Sequence, residues 1–251
     1  MGSQNQAMPR RRVSLALSAG IVAIVGLTSC GPAPTQGGIS DPYEKQNRSI
    51  HAFNVTLDKA IVRPVATVVD KALPSKAEIG LVNFSDNLEL PGRVVNDLLQ
   101  IKIGMAVQNT LRFAVNSTIG LGGVLDPASK MGVPGKPTDF GETLHVWGMA
   151  EGNYVELPVL GPSNERDMLG KVVDVVLDPL KLIVPKPAHL GFFAKVAAKI
   201  SDRGRYSATI DSILYDSADG YAQARLLYLE HRRYNLGQVP PEATFEDPYA
   251  Q

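Results

Sequence analysis

The chain has almost no cysteine: Cys30 is the single one among 251 residues. One cysteine can form neither an intrachain disulfide nor a cysteine-based metal site. Histidine is scarce as well, and His51, His145, His189 and His231 are scattered without the spacing of metal ligands. We therefore predict no metal site, and we interpret each histidine as a solvated or core residue rather than a catalytic base.

Common catalytic motifs are absent. The sequence contains no Gly-x-Ser-x-Gly elbow, no His-Glu-x-x-His pair and no Gly-Lys-Ser/Thr phosphate loop. Residues 120–123 are rich in glycine but lack the spacing of a dinucleotide-binding loop, so they predict a tight turn between packed helices. We expect no catalytic residue, and these absences count against a hydrolase.

A basic excess and long apolar runs are also missing. Residues 1–29 carry three arginines and no acidic residue, so the rest of the chain holds 22 basic and 25 acidic groups. A slightly acidic chain is not typical of a nucleic-acid binder. After Cys30, no stretch reaches the roughly 20 apolar residues of a membrane-spanning helix. The apolar fraction of 44% is nevertheless enough to bury a core.

The first 30 residues have the parts of a bacterial lipoprotein signal. Arg10-Arg11-Arg12 precedes a short apolar run at 13–26, and Leu27-Thr28-Ser29-Cys30 resembles a lipobox. We expect residues 1–29 to be removed and Cys30 to carry a covalent lipid, with no other cofactor. The basic run leaves twin-arginine export open, although the residues around it match that signal poorly. Gly31, rather than aspartate, after the cysteine favours the outer membrane.

The residues after Cys30 predict a tether, one helical domain and a tail. Residues 30–40 are uncharged and rich in Gly and Pro, and ten such residues span about 17 Å as a random coil. The domain at 41–235 shows helical apolar spacing, with Asp-Pro pairs at 41, 126, 178 and 247 as expected helix starts. Residues 236–251 are acidic and Pro-rich, and predict disorder. The expected helices lie at 43–59, 65–73, 75–116 (two, divided at Pro91-Gly92), 167–184 (two, divided at Pro179), 188–201 and 206–233.

Two segments have more than one interpretation. Residues 144–158 form either a small β-hairpin or an ordered loop, and Trp147 there could stack on a ligand, lie at a membrane interface or pack inside. Residues 188–201 combine Leu190, Phe192 and Phe193 with Lys195 and Lys199, which suits an interfacial membrane helix. A helix facing the core explains the same pattern, but a short lipid tether would favour the membrane.

Taken together, these segments resemble the MlaA (VacJ) family of outer-membrane lipoproteins. The resemblance covers about residues 41–180 in order and is looser beyond. It rests on Asp41-Pro42-Tyr43-Glu44, Asn47-Arg48, Phe53-Asn54, Arg63-Pro64-Val65-Ala66, Val82-Asn83-Phe84, Asn87-Leu88-Glu89-Leu90-Pro91, Val95-Asn96-Asp97, Arg112-Phe113-Ala114-Val115-Asn116, Gly120-Leu121-Gly122-Gly123, Asp126-Pro127, Asp139-Phe140-Gly141-Glu142, Trp147-Gly148 and Gly161-Pro162-Ser163-Asn164-Glu165-Arg166-Asp167.

The resemblance implies an all-α protein in which amphipathic helices form a compact ring within one leaflet of the outer membrane. Members of the family bind a trimeric porin and surround a polar channel. Through it, misplaced phospholipids leave the outer leaflet for a soluble periplasmic lipid-binding protein, and no bond is made or broken. The alternative is a structural lipoprotein that bridges a porin to another layer of the envelope.

The resemblance also implies where the channel is gated. Residues 47–54 match a segment in which changes make the channel of family members leaky. The gating candidates in this chain are Asn47, Arg48, His51, Phe53 and Asn54. His51 departs from the aromatic or apolar residue expected there.

Overall fold

The computed structural model describes residues 39–176 and 188–238. The predictions for the signal segment, Cys30, the Pro179 break and residues 239–251 lie outside this part of the chain.

Within it, the fold is mostly helical, as predicted. The helices are α1 (Glu44–Leu57), α2 (Arg63–Ala72), α3 (Ser75–Leu99), α4 (Ile103–Thr118), α5 (Pro127–Lys130), α6 (Phe140–Val146), α7 (Glu165–Val176), α8 (Ala188–Arg205), α9 (Ser207–Leu214) and α10 (Gly220–Asn235). A π-helical turn, Asp58–Val62, joins α1 to α2. The α3–α4 pair and the α6–α7 pair each pack side by side, and α8 lies across α2 and α3.

The predicted small hairpin is present but lies further along the chain than 144–158. Strand β1 (Tyr154–Leu157) pairs antiparallel with β2 (Gly161–Asn164), with Tyr154 opposite Asn164. The prediction was wrong for 144–146, which belong to α6. The side chain of Asp139 caps α6 by accepting a hydrogen bond from the Glu142 N–H at 2.8 Å, and this starts a helix where aromatic residues suggested a strand.

The predicted break at Pro91 was also wrong, because α3 continues through this proline. The helix ends at Leu99 with Gln100 as its C-cap, and Ile101 then takes a left-handed conformation with φ 59°. The Lys102 N–H then reaches the carbonyl of Asp97 at 2.8 Å, the bond that closes a Schellman motif. Packing against α4 and α8 maintains α3 where proline removes one backbone hydrogen bond.

The predicted single helix at 206–233 is two helices, α9 and α10, separated at residues 215–219. Asp219 starts α10 by accepting a hydrogen bond from the Ala222 N–H at 3.0 Å. The break lets the hydroxyl of Tyr215 reach the carboxylate of Asp58 at the π-helical turn.

The Asp-Pro pairs did not all start helices. Asp126 caps α5 as predicted, accepting from the Ser129 N–H at 3.1 Å. Asp41 does not cap α1, because its carboxylate accepts hydrogen bonds from Asn47, Tyr221 and Arg225 instead. The pairs at 178 and 247 lie outside the described residues.

Helices α6 and α7 approach so closely that only glycine fits between them. A Cβ atom on Gly170 would lie 2.3 Å from the backbone nitrogen of Gly141. We expect Gly170→Ala to lower the free energy of unfolding by at least about 2 kcal/mol, because the backbone of α6 would have to move. Urea unfolding of the protein in detergent micelles measures this.

The control is Gly191→Ala on α8, where a new Cβ meets nothing within 4 Å. That variant should be unchanged or more stable by up to about 1 kcal/mol, the difference in helix propensity. Equal effects of the two substitutions would contradict the packing argument.

Candidate functional site

The described residues place polar side chains inside the domain and large apolar side chains outside. Arg166 is 0% exposed, and Asn109, Ser163 and Asn164 are equally buried. By contrast, Ile101 is 83% exposed, and exposed Val, Leu, Ile, Phe and Trp side chains recur on most elements. Charged side chains are almost never fully buried in water-soluble proteins unless paired. Polar side chains inside and large apolar side chains outside are the reverse of the distribution typical of a water-soluble domain.

A chain of hydrogen bonds runs through the interior between α3, α6 and α7. The hydroxyl of Thr143 donates to Asn96 at 2.8 Å and accepts from Gln100 at 2.9 Å. Asn96 in turn donates to Asp174 at 3.1 Å. Burial raises the pKa of Asp174. These contacts hold together three elements that bury few apolar side chains.

Three of the predicted gating residues attach α1 to the edge of β1 that does not face β2. Asn47 is 3% exposed; its amide donates to the carbonyl of Tyr154 at 3.1 Å and accepts from the Glu156 N–H at 2.9 Å. Two turns later, Asn54 donates to the carbonyl of Leu157 at 3.0 Å and accepts from the Val159 N–H at 2.7 Å. Asn47 therefore pairs with β1 as a neighbouring strand would, and Asn54 bonds to the end of β1 and to the turn that follows it.

His51 lies between these two asparagines, and its Nδ1 is 3.4 Å from the carboxylate of Glu156. Glu156 is itself buried and also accepts hydrogen bonds from Asn54 and Tyr154. A polar side chain at position 51 is therefore explained by the buried carboxylate opposite it. Burial and the hydrogen bond to Glu156 raise the pKa of the Tyr154 phenol.

The other two gating candidates face outward. Arg48 forms ion pairs with Glu44 at 2.7 Å and with Asp219 at 2.8 Å, and lies 4.5 Å from the ring centre of Tyr221. The hydrogen bond from Arg48 lowers the pKa of Asp219 to about 2. Together with His51 and Tyr221, Arg48 lines an open groove of about 420 Å³ between α1 and α10. Phe53 is exposed and takes no part in the polar contacts between α1 and β1.

A second buried cluster surrounds Asp167 at the start of α7. Its carboxylate contacts Nε of Arg166 at 3.3 Å and Nε of Arg232 at 2.8 Å, and accepts a hydrogen bond from the hydroxyl of Tyr228 at 2.6 Å. Burial opposes its ionisation, but Arg232, Tyr228 and Arg166 together lower the pKa of Asp167. On the far side of Arg166, burial and the arginine charge lower the pKa of His145.

The arginines of α10 connect this helix to other parts of the domain. Their side chains extend to carboxylates on other elements. Arg225 pairs with Asp41, Arg232 with Asp139 and Asp167, and Arg233 with Glu151. These ion pairs fasten α10 to the start of the domain, to α6–α7 and to the segment before the hairpin.

Helices α3 and α4 and the residues after them enclose a polar cavity of about 300 Å³. Arg112 crosses its base, donating to Ser129 at 2.9 Å and to Asp126 at 3.0 Å. Burial opposes ionisation of Asp126, but hydrogen bonds from Ser129, Asn116 and Arg112 lower its pKa to about 2. Most of the remaining lining is polar as well, so the cavity suits a charged or strongly hydrated group.

Helix α8 packs through small residues and exposes its large ones. Ala194, Ala198 and Ser201 are buried on one face, toward α2 and α3. Phe192 and Phe193 are 62% and 63% exposed. The side chain of Leu190 lies outside the described set. The face of α8 that packs on the core therefore consists of small residues. Phe192 and Phe193 lie outside that contact and are available for another one.

The two lysines predicted for the membrane interface are also exposed. Lys195 pairs with Glu89 of α3 at 3.2 Å, and Lys199 lies one turn further along α8. The C-terminal end of α8 is fixed by Arg203, which pairs with Asp58 at 2.8 Å and with Asp211 at 2.6 Å.

Neither a metal centre nor a spanning helix occurs in the described ranges. No group of three or more His, Cys, Asp or Glu residues at 39–176 and 188–238 could hold a metal ion. No helix in these ranges is long and apolar enough to cross a membrane.

Comparison with known proteins agrees with this architecture. The MlaA lipoprotein family profile matches residues 39–235. The chain belongs to this family. A protein of Escherichia coli (strain K12) named "Intermembrane phospholipid transport system lipoprotein MlaA" is 34% identical over 247 residues, covering 94% of this chain and 93% of its own length. An uncharacterized protein of Rickettsia felis is 35% identical over 188 residues, 74% of each chain.

A solved structure supports the same assignment. It is described as "Structural basis for maintenance of bacterial outer membrane lipid asymmetry", and one of its chains superposes with a TM-score of 0.64 at 30% identity. The match covers 78% of this chain and 99% of that one. The family resemblance found in the sequence is thereby confirmed.

Sequence reasoning missed the Asp167 cluster and the α3–α4 cavity. Both consist of residues that lie far apart in the chain: Asp139, Asp167 and Arg232 meet only after folding. The apolar residues that recur at helical spacing did not by themselves show which face is buried. Many of them, such as Ile103, Val107 and Leu111, are exposed, and the polar Asn109 between them is buried.

Proposed function

We propose that this protein is a non-enzymatic lipoprotein of the outer membrane that removes misplaced phospholipids from the outer leaflet and so maintains lipid asymmetry. The observation that carries the proposal is the inverted distribution of its side chains. Exposed apolar residues suit the acyl region of a leaflet, while the buried Arg, Asp and Asn residues provide a path for headgroups. The names of the relatives support the same function.

The lipid on Cys30 would hold the domain at the periplasmic face of the outer membrane, and the exposed helices would embed in the leaflet. A trimeric porin and a soluble periplasmic lipid-binding protein are the proposed partners. Exposed apolar side chains of α3 and α4, among them Leu98, Ile103 and Val107, together with Trp147, are the proposed contacts with lipid or a porin. The α1–β1 seam formed by Asn47, His51 and Asn54 is the proposed gate, because it joins a helix to a hairpin through side chains alone.

Deletion of the gene tests this function. We expect more phospholipid on the cell surface and lower resistance to detergent with EDTA, both restored by the wild-type gene. Cys30→Ser should leave the protein unanchored and should not restore either property. If deletion weakens the envelope without changing surface phospholipid, the bridging alternative is favoured over transport. If deletion changes none of these properties, the transport proposal is wrong.

Exchange of both phenylalanines of α8 for aspartate tests the membrane contact of that helix. In a Cys30→Ser background, we expect the double variant to bind lipid vesicles at least tenfold more weakly, because two aromatic rings no longer enter the acyl boundary. Vesicle co-sedimentation measures this binding. Both side chains are exposed, so the melting temperature should change little.

Tyrosine at both positions is the matched control, because its ring suits the membrane interface and should preserve binding. Equal binding by the aspartate and tyrosine variants would contradict an interfacial role for α8.

A further inference from the structure

The α3–α4 cavity contains an arginine with unused hydrogen-bond donors. Arg93 contacts Asp86 at 3.2 Å and Glu89 at 2.8 Å, both through Nη2. Its Nε–H and Nη1–H groups form no hydrogen bond with residues 39–176 and 188–238, and the side chain is 12% exposed. Since Arg93 lines the cavity, these donors are available to an acceptor that enters it.

The second arginine of the cavity, Arg112, differs: both of its terminal nitrogens are occupied, while its Nε is buried without a hydrogen-bond partner in the described part of the chain. Arg112 donates through Nη1 to Ser129 and to the carbonyl of Val133, and through Nη2 to Asp126. The backbone of Gly135 packs directly against this guanidinium, since a Cβ atom on Gly135 would lie only 3.1 Å from Nε of Arg112. Arg112 and Asp126 therefore form a fixed, mutually neutralised wall. Arg93 is paired with Asp86 and Glu89 through Nη2 alone, so it is the cation of the cavity with terminal donors left for a ligand.

A carboxylate stands beside the free cation. Asp86 lies two turns before Arg93 on the same face of α3, and its side chain is 58% exposed. The described contacts give it one ion pair, the 3.2 Å contact with Arg93. Glu89 does not line the cavity and is balanced by Lys195 at 3.2 Å. The cavity thus presents an available cation and an available anion side by side, with no net charge in its lining.

We propose that this cavity is a subsite for a zwitterionic phosphoethanolamine headgroup, with Arg93 binding the phosphate and Asp86 the ammonium. The proposal rests on the proposed function for its class of ligand. Arginine is well suited to phosphate oxygens, and a carboxylate is the natural partner of an ammonium group. An anionic headgroup would gain only the first of these contacts. Since Leu90 and Pro137 are the main apolar contributions to the lining, acyl chains stay outside the cavity.

Titration with a soluble headgroup tests the subsite without requiring transport. The full chain in detergent micelles is titrated with glycerophosphoethanolamine, glycerophosphoglycerol and inorganic phosphate, with binding followed by calorimetry. We expect glycerophosphoethanolamine to bind at least tenfold more tightly than the other two. Arg93→Gln should weaken its binding at least tenfold, and Asp86→Asn should remove the preference over glycerophosphoglycerol.

Arg205→Gln is the control, since Arg205 is a partly exposed arginine outside the cavity, 3.7 Å from Glu78. The affinity of this variant for glycerophosphoethanolamine should stay within twofold of that of the wild type. Thermal melting in the same micelles checks that each variant is folded. If Arg93→Gln unfolds, Arg93→Lys, which keeps the charge, should bind the headgroup at intermediate strength.

The outcomes separate the subsite from the function. Equal affinity for inorganic phosphate and glycerophosphoethanolamine, or no binding to the wild type, would overturn the phosphoethanolamine subsite. Unchanged binding in Arg93→Gln would overturn it too, even if the protein moves phospholipids in cells. Conversely, headgroup binding that depends on Arg93, in a protein whose deletion leaves surface phospholipid unchanged, would support the subsite and contradict the transport function.

Discussion

Replacement of Asp167 by asparagine is expected to lower the free energy of unfolding by about 3–5 kcal/mol. Asparagine has the same shape but no charge, so Arg166, which is 0% exposed, loses its carboxylate partner. Arg232 keeps its ion pair with Asp139 in this variant, so most of the lost stability comes from the unpaired Arg166. Urea unfolding in detergent micelles gives the difference.

Asp216→Asn provides the matched control, because Asp216 is exposed and its change should stay within about 0.5 kcal/mol. A loss below about 1 kcal/mol in Asp167→Asn would mean that the buried charges are compensated elsewhere.

The effect of Asp167 should also depend on pH. Its pKa in the folded protein lies below that of the unfolded chain, where aspartate titrates near 3.9. The carboxylate therefore contributes its full stabilisation above the unfolded pKa, and this contribution is lost as the pH falls through the folded pKa. The difference between wild type and Asp167→Asn should be constant near neutral pH and shrink below about pH 4. A difference that grows on acidification would contradict this assignment.

Replacement of Asn47 by aspartate is expected to be more damaging than replacement by alanine, although aspartate is the closer match in shape. The new oxygen would take the place of Nδ2, which lies 2.8 Å from Asp41 and 3.1 Å from the carbonyl of Tyr154. A buried charge facing two acceptors should cost about 3–5 kcal/mol, whereas alanine leaves unsatisfied groups worth about 1–3 kcal/mol.

Hydrogen exchange at the Glu156 N–H reports directly on this seam. Protection should fall in both Asn47 variants, and the aspartate variant should regain stability at low pH as the new carboxyl group is protonated. If the seam is the gate, surface phospholipid should change in these variants while the amount of membrane-bound protein does not. The same stability for the alanine and aspartate variants would exclude the proposed hydrogen-bond pattern.

The sequence predicted the helical class and the family, because apolar spacing and short motifs are local properties. It placed boundaries poorly where tertiary contacts override local signals. Pro91 remains inside α3 because two helices pack along it, and Asp41 leaves its capping position to bind Tyr221 and Arg225.

The candidate site was predictable only in part. Asn47, His51 and Asn54 recur at helical spacing and do share one face, so their common contact with β1 follows from the pattern. Asp86 and Arg93 also share a face, but their importance depends on a cavity closed by α4 and by residues far along the chain. The adjacent Arg166 and Asp167 belong to a local motif, but nothing local indicates that Asp167 also pairs with Arg232, 65 positions away.

The exposed apolar side chains have a thermodynamic consequence. Unfolding of a water-soluble domain raises the heat capacity by about 12–15 cal/mol/K per residue, mainly because apolar surface becomes hydrated. In this protein much of that surface is already outside, and the groups released from the interior are polar ones, whose hydration lowers the heat capacity. Its unfolding in water should therefore have an unusually small heat-capacity change and a flat stability curve. Lipid or detergent that covers these side chains in the folded state would restore the larger heat-capacity change of unfolding. The stability of the fold is then a property of the protein together with its bound amphiphile.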